Sequence, residues 1–165
     1  MITYYWPPSG GPGVQRILKF CKYLPYFGWE PIVLTVEDGE YPSLDQSLLD
    51  EAELLKVKVF KTKTIEPYKF FKFLTQKNSL PTFELSKVKE SIFSNLAYWI
   101  RMNLFIPDAR IGWIPFAIKS AKKIILENKI DLIFSSGPPH SSHFIGHRLK
   151  RSLSIPWVAD FRDPW

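Results

Sequence analysis

Three short stretches of this chain carry residues whose types and spacing could do chemistry. The first is Pro7-Pro8-Ser9-Gly10-Gly11-Pro12-Gly13-Val14-Gln15-Arg16. Its glycines allow positive φ and close approach of backbone to a ligand. A helix beginning there would offer free N–H groups and a dipole to a phosphate, with Arg16 one turn in. It is not a GxGxxG fingerprint, and no Walker lysine follows. A tight strand-to-helix turn with no ligand fits the composition equally well. The second stretch is Ser135-Ser136-Gly137-Pro138-Pro139-His140-Ser141-Ser142-His143. It repeats the pattern, and His140 could donate to a sugar hydroxyl or a phosphate. The third, Asp160-Phe161-Arg162-Asp163-Pro164-Trp165, packs two carboxylates, a guanidinium and two aromatic rings together. It reads either as an Arg–Asp clasp ordering a loop or as a pocket for a polyol with a carboxylate as proton acceptor. His140, His143 and His147 have helical spacing, but no cysteine stands nearby and no acidic residue lies in that helix, so no metal site is assigned. Cys21 belongs to an apolar helix face and is read as core.

These stretches need elements to position them. Residues Ile2 to Trp6 suggest a first strand. Val14, Ile17, Leu18, Cys21 and Leu24 follow helical spacing, stopped by Pro25 and Gly28. Strands are expected at 31–36, 57–60, 131–135 and 155–159, from β-branched and apolar runs. Helical stripes run through Leu85, Val88, Ile92, Leu96 and Trp99, and through Ile114, Ala117, Ile118, Ala121 and Ile125. A further helix spans 141–153, with Ser141 or Ser142 as its cap. Strands alternating with helices imply an α/β fold with a parallel sheet covered on both faces. In such sheets ligands sit beyond the carboxyl ends of the strands, which is where all three stretches fall.

The 165 residues suit one domain, and 45% hydrophobic against 23% charged content excludes disorder. A single cysteine excludes an internal disulfide framework and fits a reducing compartment. No signal peptide or membrane span is evident, so a cytoplasmic chain is expected, free or lying on a membrane surface. The net charge of +6 favours anionic partners. It is concentrated between Lys56 and Ile106, where ten Lys/Arg face three Glu among many aromatics. That stretch, about 65–106, reads as an amphipathic helical excursion with a solvated basic face, or as a patch for an anionic membrane. No nucleic-acid motif accompanies it, so nucleic acid is not expected as a partner.

Four blocks, in order, resemble family 4 glycosyltransferases of the GT-B fold. They are Tyr4-Tyr5-Trp6-Pro7-Pro8-Ser9-Gly10-Gly11-Pro12-Gly13-Val14-Gln15-Arg16, Gly28-Trp29-Glu30-Pro31-Ile32-Val33-Leu34-Thr35, Ser135-Ser136-Gly137-Pro138-Pro139-His140-Ser141, and residues 155–165. The resemblance implies a Rossmann-like N-terminal, acceptor-side half of a two-domain enzyme. It implies a nucleotide-diphosphate sugar as co-substrate, no metal or other cofactor, retention of anomeric configuration, and a glycan or lipid-linked acceptor such as those of cell-envelope polysaccharide synthesis. Carried over, Gly10, Gly11, Gly13 and Arg16 would approach the donor diphosphate and sugar. His140, Asp160, Arg162 and Asp163 would line the acceptor side, with the catalytic base one of Asp160 and Asp163. The histidine that some relatives carry at the end of the last strand is not evident here. Most of the donor site would lie on a C-terminal domain outside these residues, so the chain alone is expected to be inactive. A non-catalytic module binding a glycan, a phosphate ligand or a partner is the alternative, and an unrelated nucleotide-binding α/β protein a third.

Overall fold

The structure, a computed structural model, describes residues 1–65 and 106–162. Along the chain these form α1 (Pro12–Tyr23), a 3-10 turn (Leu24–Phe27), β1 (Ile32–Val36), α2 (Gln46–Leu54) and β2 (Lys58–Thr62). After residue 106 come a second 3-10 turn (Ile111–Trp113), α3 (Ile114–Glu127), β3 (Ile133–Gly137), α4 (Ser141–Leu153) and β4 (Trp157–Phe161). The helical stripe at 85–99 and most of the basic aromatic stretch fall outside the described residues.

The strands form two parallel pairs. In one, Ile32 stands opposite Lys58 and Val36 opposite Thr62. In the other, Ile133 stands opposite Trp157 and Gly137 opposite Phe161. The chain's first residues lie between the pairs, where Ile2 bridges in parallel to both Leu34 and Ser135. Thr3 N–H donates to Leu34 O at 3.1 Å and Leu34 N–H to Met1 O at 2.8 Å on one side. On the other, Ile2 N–H donates to Phe134 O at 2.7 Å and Ser136 N–H to Ile2 O at 3.1 Å. The parallel order across the molecule is therefore β2, β1, residues 1–3, β3, β4.

Side-chain alternation divides the core into two layers. Val33 packs with Val14, Ile17, Leu18 and Cys21 of α1 and Leu48 of α2. Leu34, Val36 and Ile133 face the other way, onto Ala117, Ala121 and Ile124 of α3 and Ile145 and Leu149 of α4. The small alanines let α3 lie close to the sheet. Ile17, Leu18, Ile145 and Leu149 are at most 1% exposed, so truncating any one to alanine should cost about 2–5 kcal/mol. Cys21 belongs to this core, as its helical spacing suggested, and burial pushes its thiol up to about 11.

Several boundaries differ from the sequence reading. The expected 2–6 strand shrinks to a bridge at Ile2, because the chain leaves the ladder after Thr3 and Tyr4 O instead accepts from the Thr35 hydroxyl at 3.0 Å. β3 and β4 each begin two residues later than expected. The shift has a consequence for chemistry: Asp160 and Phe161 are strand residues, with Asp160 opposite Ser136. Helix α2 was not anticipated, although Asp45 caps it by accepting from the N–H groups of Ser47 and Leu48.

Candidate functional site

Outward from residues 1–3 the strand order reverses direction, so the loops leaving that segment and β3 part company at the carboxyl ends of the strands. A crevice at such a reversal is where open α/β sheets receive ligands. Here the reversal lies between residues 1–3 and β3, which lead into residues 7–13 and 137–141.

The first loop is pinned. Gly10 N–H donates to Ser43 O and Asp45 N–H to Pro8 O, both at 2.9 Å, across an antiparallel bridge between Ser9 and Leu44. Its three glycines do different work. A Cβ on Gly10 would lie 2.8 Å from Ser43 Oγ, so Gly10 is small in order to pack. Gly11 has φ +105° and ψ 164°, a conformation close to glycine-only, and turns the chain into α1. A Cβ on Gly13 would collide with the Arg162 guanidinium.

That collision shows how the third stretch meets the first. Arg162 lies across Gly13, with Nε–H donating to Gly137 O at 2.8 Å and Nη2–H to Pro138 O at 3.2 Å. Beside it, Arg16 grips Asp160 with two parallel bonds, Nε–H to Oδ2 at 3.0 Å and Nη2–H to Oδ1 at 2.9 Å. The Ser136 hydroxyl adds a third bond to Asp160 at 2.9 Å. Burial would raise the Asp160 pKa, but the bonds from Arg16 and Ser136 and the charges of Arg16 and Arg162 outweigh it and hold the carboxyl below its usual range. Such a carboxylate is a weak proton acceptor, better suited to electrostatic positioning than to general base work. Pro12, Gly13, Arg16, Asp160, Phe161 and Arg162 line an open depression of about 480 Å³. Among the described residues, that lining carries two guanidiniums and one carboxylate.

The second stretch is organised differently. His140, not a serine, is the N-cap of α4, and its side chain makes no capping bond. The cap comes from a distant loop: Asp108 accepts from Ser141 N–H at 2.7 Å, from the Ser141 hydroxyl at 2.8 Å and from Arg110 N–H at 2.8 Å. The expected cap at Ser141 or Ser142 is thereby corrected, because Ser141 is the first helical residue and turns both its donors to Asp108.

One turn on, His143 is 5% exposed. Its Nδ1 lies 2.9 Å from Ser135 Oγ, which also accepts from Trp157 Nε1–H at 2.8 Å. Its ring lies 4.0 Å from that of Phe161, and its Nε2 is buried with no hydrogen-bond partner among the described residues. Burial, helped by the charge of His140, pushes its pKa down to about 4 against the pull of Asp160 and Asp108. His143 is thus a neutral imidazole in a packed wall. His147 is exposed, edge-on to Trp157 at 5.9 Å.

Of the residues picked out in sequence, Gly13, Arg16, Asp160 and Arg162 converge on one depression. His140 stands nearby, 6.1 Å from Phe161 between ring centroids. Gly10 packs against the loop before α2. Asp163 lies outside the described residues. Asp108 was missed, and Ser136, part of the second stretch, was given no role of its own although its hydroxyl bonds Asp160. Asp108 makes its contact with Ser141 from 33 residues away, and no spacing rule reaches that far. No group of three or more potential metal ligands occurs among the described residues, and no described helix is long and apolar enough to cross a membrane. Compared with known proteins, the chain matches no family model, no curated protein and no solved structure.

Proposed function

We propose that the chain is a Rossmann-like α/β unit that receives a phosphate-bearing ligand at the reversal of its strand order. More particularly, we propose that it is the acceptor-side half of a retaining family 4 glycosyltransferase using a nucleotide-diphosphate sugar. The observation that carries this reading is the meeting of two sequence-distant segments, at 12–16 and 160–162, in one depression at the strand ends, with Arg162 tied in turn to Gly137 and Pro138.

In this reading the glycine loop and Arg16 face the donor diphosphate, while His140 and Arg162 face the acceptor, a glycan or a lipid-linked sugar. Asp160 positions the arginines by charge, and Asp163 is the carboxylate left for proton acceptance. A second domain supplies most of the donor site, and the stretch at 65–106 is the surface offered to an anionic membrane on the cytoplasmic side.

The test is release of nucleotide from a panel of nucleotide sugars by the full chain, with and without the polypeptide encoded immediately downstream. Turnover only with both is the expected result. Turnover by the chain alone would overturn the division of labour. No turnover in either case, with the chain folded, would replace the transferase by a binding module.

A further inference from the structure

At the amino ends of the strands, opposite the candidate site, the connection from α1 to β1 puts four aromatic rings into solvent. Tyr23, Tyr26, Phe27 and Trp29 are 51%, 81%, 78% and 48% exposed. The segment is closed on itself: Gly28 N–H donates to Pro25 O at 3.1 Å and Trp29 N–H to Leu24 O at 3.2 Å, with Gly28 at φ +79°. The Tyr23 and Tyr26 ring centroids lie 6.4 Å apart. Rings carried on a closed turn lose little freedom when something covers them. None of the four belongs to either layer of the core, so the fold does not account for them. Aromatic side chains concentrated in this way, as opposed to scattered singly, mark an interaction surface.

The charges around the rings select the occupant. Lys22 and Glu30 bracket the turn, both are exposed, and neither forms an ion pair among the described residues. The preceding lysine, Lys19, is engaged by Glu51 at 2.6 Å. The segment from Lys22 to Glu30 is therefore neutral in sum, which gives an anionic lipid surface little to attract. One charge of each sign beside an apolar patch is instead self-complementary about a two-fold axis. We infer that this turn is where two copies of the chain associate, ring against ring, with Lys22 of each protomer facing Glu30 of the partner subunit. The rings supply the affinity, and the ion pairs, screened at the surface, set the register. Charges farther apart than about 8 Å are largely screened at physiological salt, so the chain's net +6 does not oppose the contact. Helix α1 runs from this turn to the candidate site, and its 12 residues span about 18 Å. A dimer formed here leaves the depression at Arg16 and Asp160 open, and it is independent of the activity proposed above.

Sedimentation equilibrium of the full chain at physiological salt, over a series of concentrations, tests it. The expected result is a reversible monomer–dimer equilibrium. Tyr26→Ser combined with Phe27→Ser should raise the dissociation constant by about tenfold or more, as truncating buried aromatic contacts does. Lys22→Glu and Glu30→Lys, made singly, each set like charges opposite one another at two symmetric places and should weaken association roughly three- to tenfold. The double variant Lys22→Glu/Glu30→Lys exchanges the signs and should return to within about twofold of wild type. A wild-type chain that stays monomeric throughout would overturn the inference. So would a dimer indifferent to the ring substitutions, or a double charge variant as weak as the single ones. If the ring variant does not fold by circular dichroism, the charge exchange decides alone. A monomeric chain that floats with phosphatidylglycerol vesicles, and loses flotation with Tyr26→Ser and Phe27→Ser, would give the turn to a lipid surface and sink the dimer. Nucleotide sugars enter none of these readouts, so an inactive chain can still dimerise here and an active one can fail to.

Discussion

Helices α1 and α4 begin with the same ingredients, a run of small residues, glycine and proline at the end of a strand, yet their N-termini have opposite fates. The first turn of α1 has no side-chain cap and no acidic residue. The N-terminus of α4 is filled by the Asp108 carboxylate, which takes both the amide and the hydroxyl of the fully buried Ser141. A helix N-terminus attracts an anion in either case. At α4 the anion is the protein's own, and the site is structural. At α1 the Asp160 carboxylate is bonded to the side chain of Arg16 and not to the helix's first amides. The contrast separates two loops that composition alone treats as equivalent.

The largest effect that would sharpen this contrast is on the α4 side and depends on pH. The unfolded chain protonates His143 near its ordinary 6.5, whereas the folded chain resists protonation down to about 4. Stability from this group is therefore complete above pH 6.5 and declines as pH falls, because the unfolded state binds the proton first. It is gone below about 4, a loss of about 3 kcal/mol at most. Urea midpoints at pH 7 and pH 4.5 should show the fall, and His143→Gln should flatten it. An equally steep fall in that variant would assign the titration elsewhere.

Next in size, Asp108→Ala leaves the Ser141 amide and hydroxyl without their partner and should destabilise the chain by about 2 kcal/mol in urea unfolding. A loss below about 0.5 kcal/mol would mean the α4 cap is not structural. Gly11→Ala forces a side chain into the conformation at φ +105° and should cost about 1–2 kcal/mol, read in the same way. Gly13→Ala marks the other extreme. The three atoms nearest its new methyl all belong to the Arg162 guanidinium, the end of a long side chain, so stability should change by less than about 1 kcal/mol. Pyrophosphate binding should nevertheless weaken several-fold as Arg162 is displaced. A large stability loss with unchanged binding would reverse the roles given to the two loops.

How much of this was legible in the sequence follows from the range of each interaction. Helix α1 and the stop that follows it were readable because periodicity and a left-handed cap are local: α1 ends at Tyr23, the turn Leu24–Phe27 continues it, and Gly28 closes that turn with φ +79°. The parallel, two-faced layering was readable from apolar strands alternating with helices. Strand ends were misplaced by about two residues, because Ile155 is apolar but packs from the connector before Pro156. Helix α2 was overlooked although Asp45 and Leu48 signalled it. At the site, Arg16, Asp160 and Arg162 were picked out by residue type, but their pairing was not, since Arg16 and Asp160 are separated by 144 positions. The same distance problem hid Asp108, and with it the reason why the second glycine-bearing loop is already occupied.

The central claim, that an anionic ligand enters beside α1 and not at α4, is tested most directly by mapping backbone amide shifts of the full chain during titration with inorganic pyrophosphate. The account predicts saturable shifts at Gly11, Gly13, Arg16 and Phe161, with Ser141 and Ser142 unmoved. Shifts centred on Ser141 and Ser142, or scattered among surface lysines with Gly13 and Arg16 silent, would contradict it.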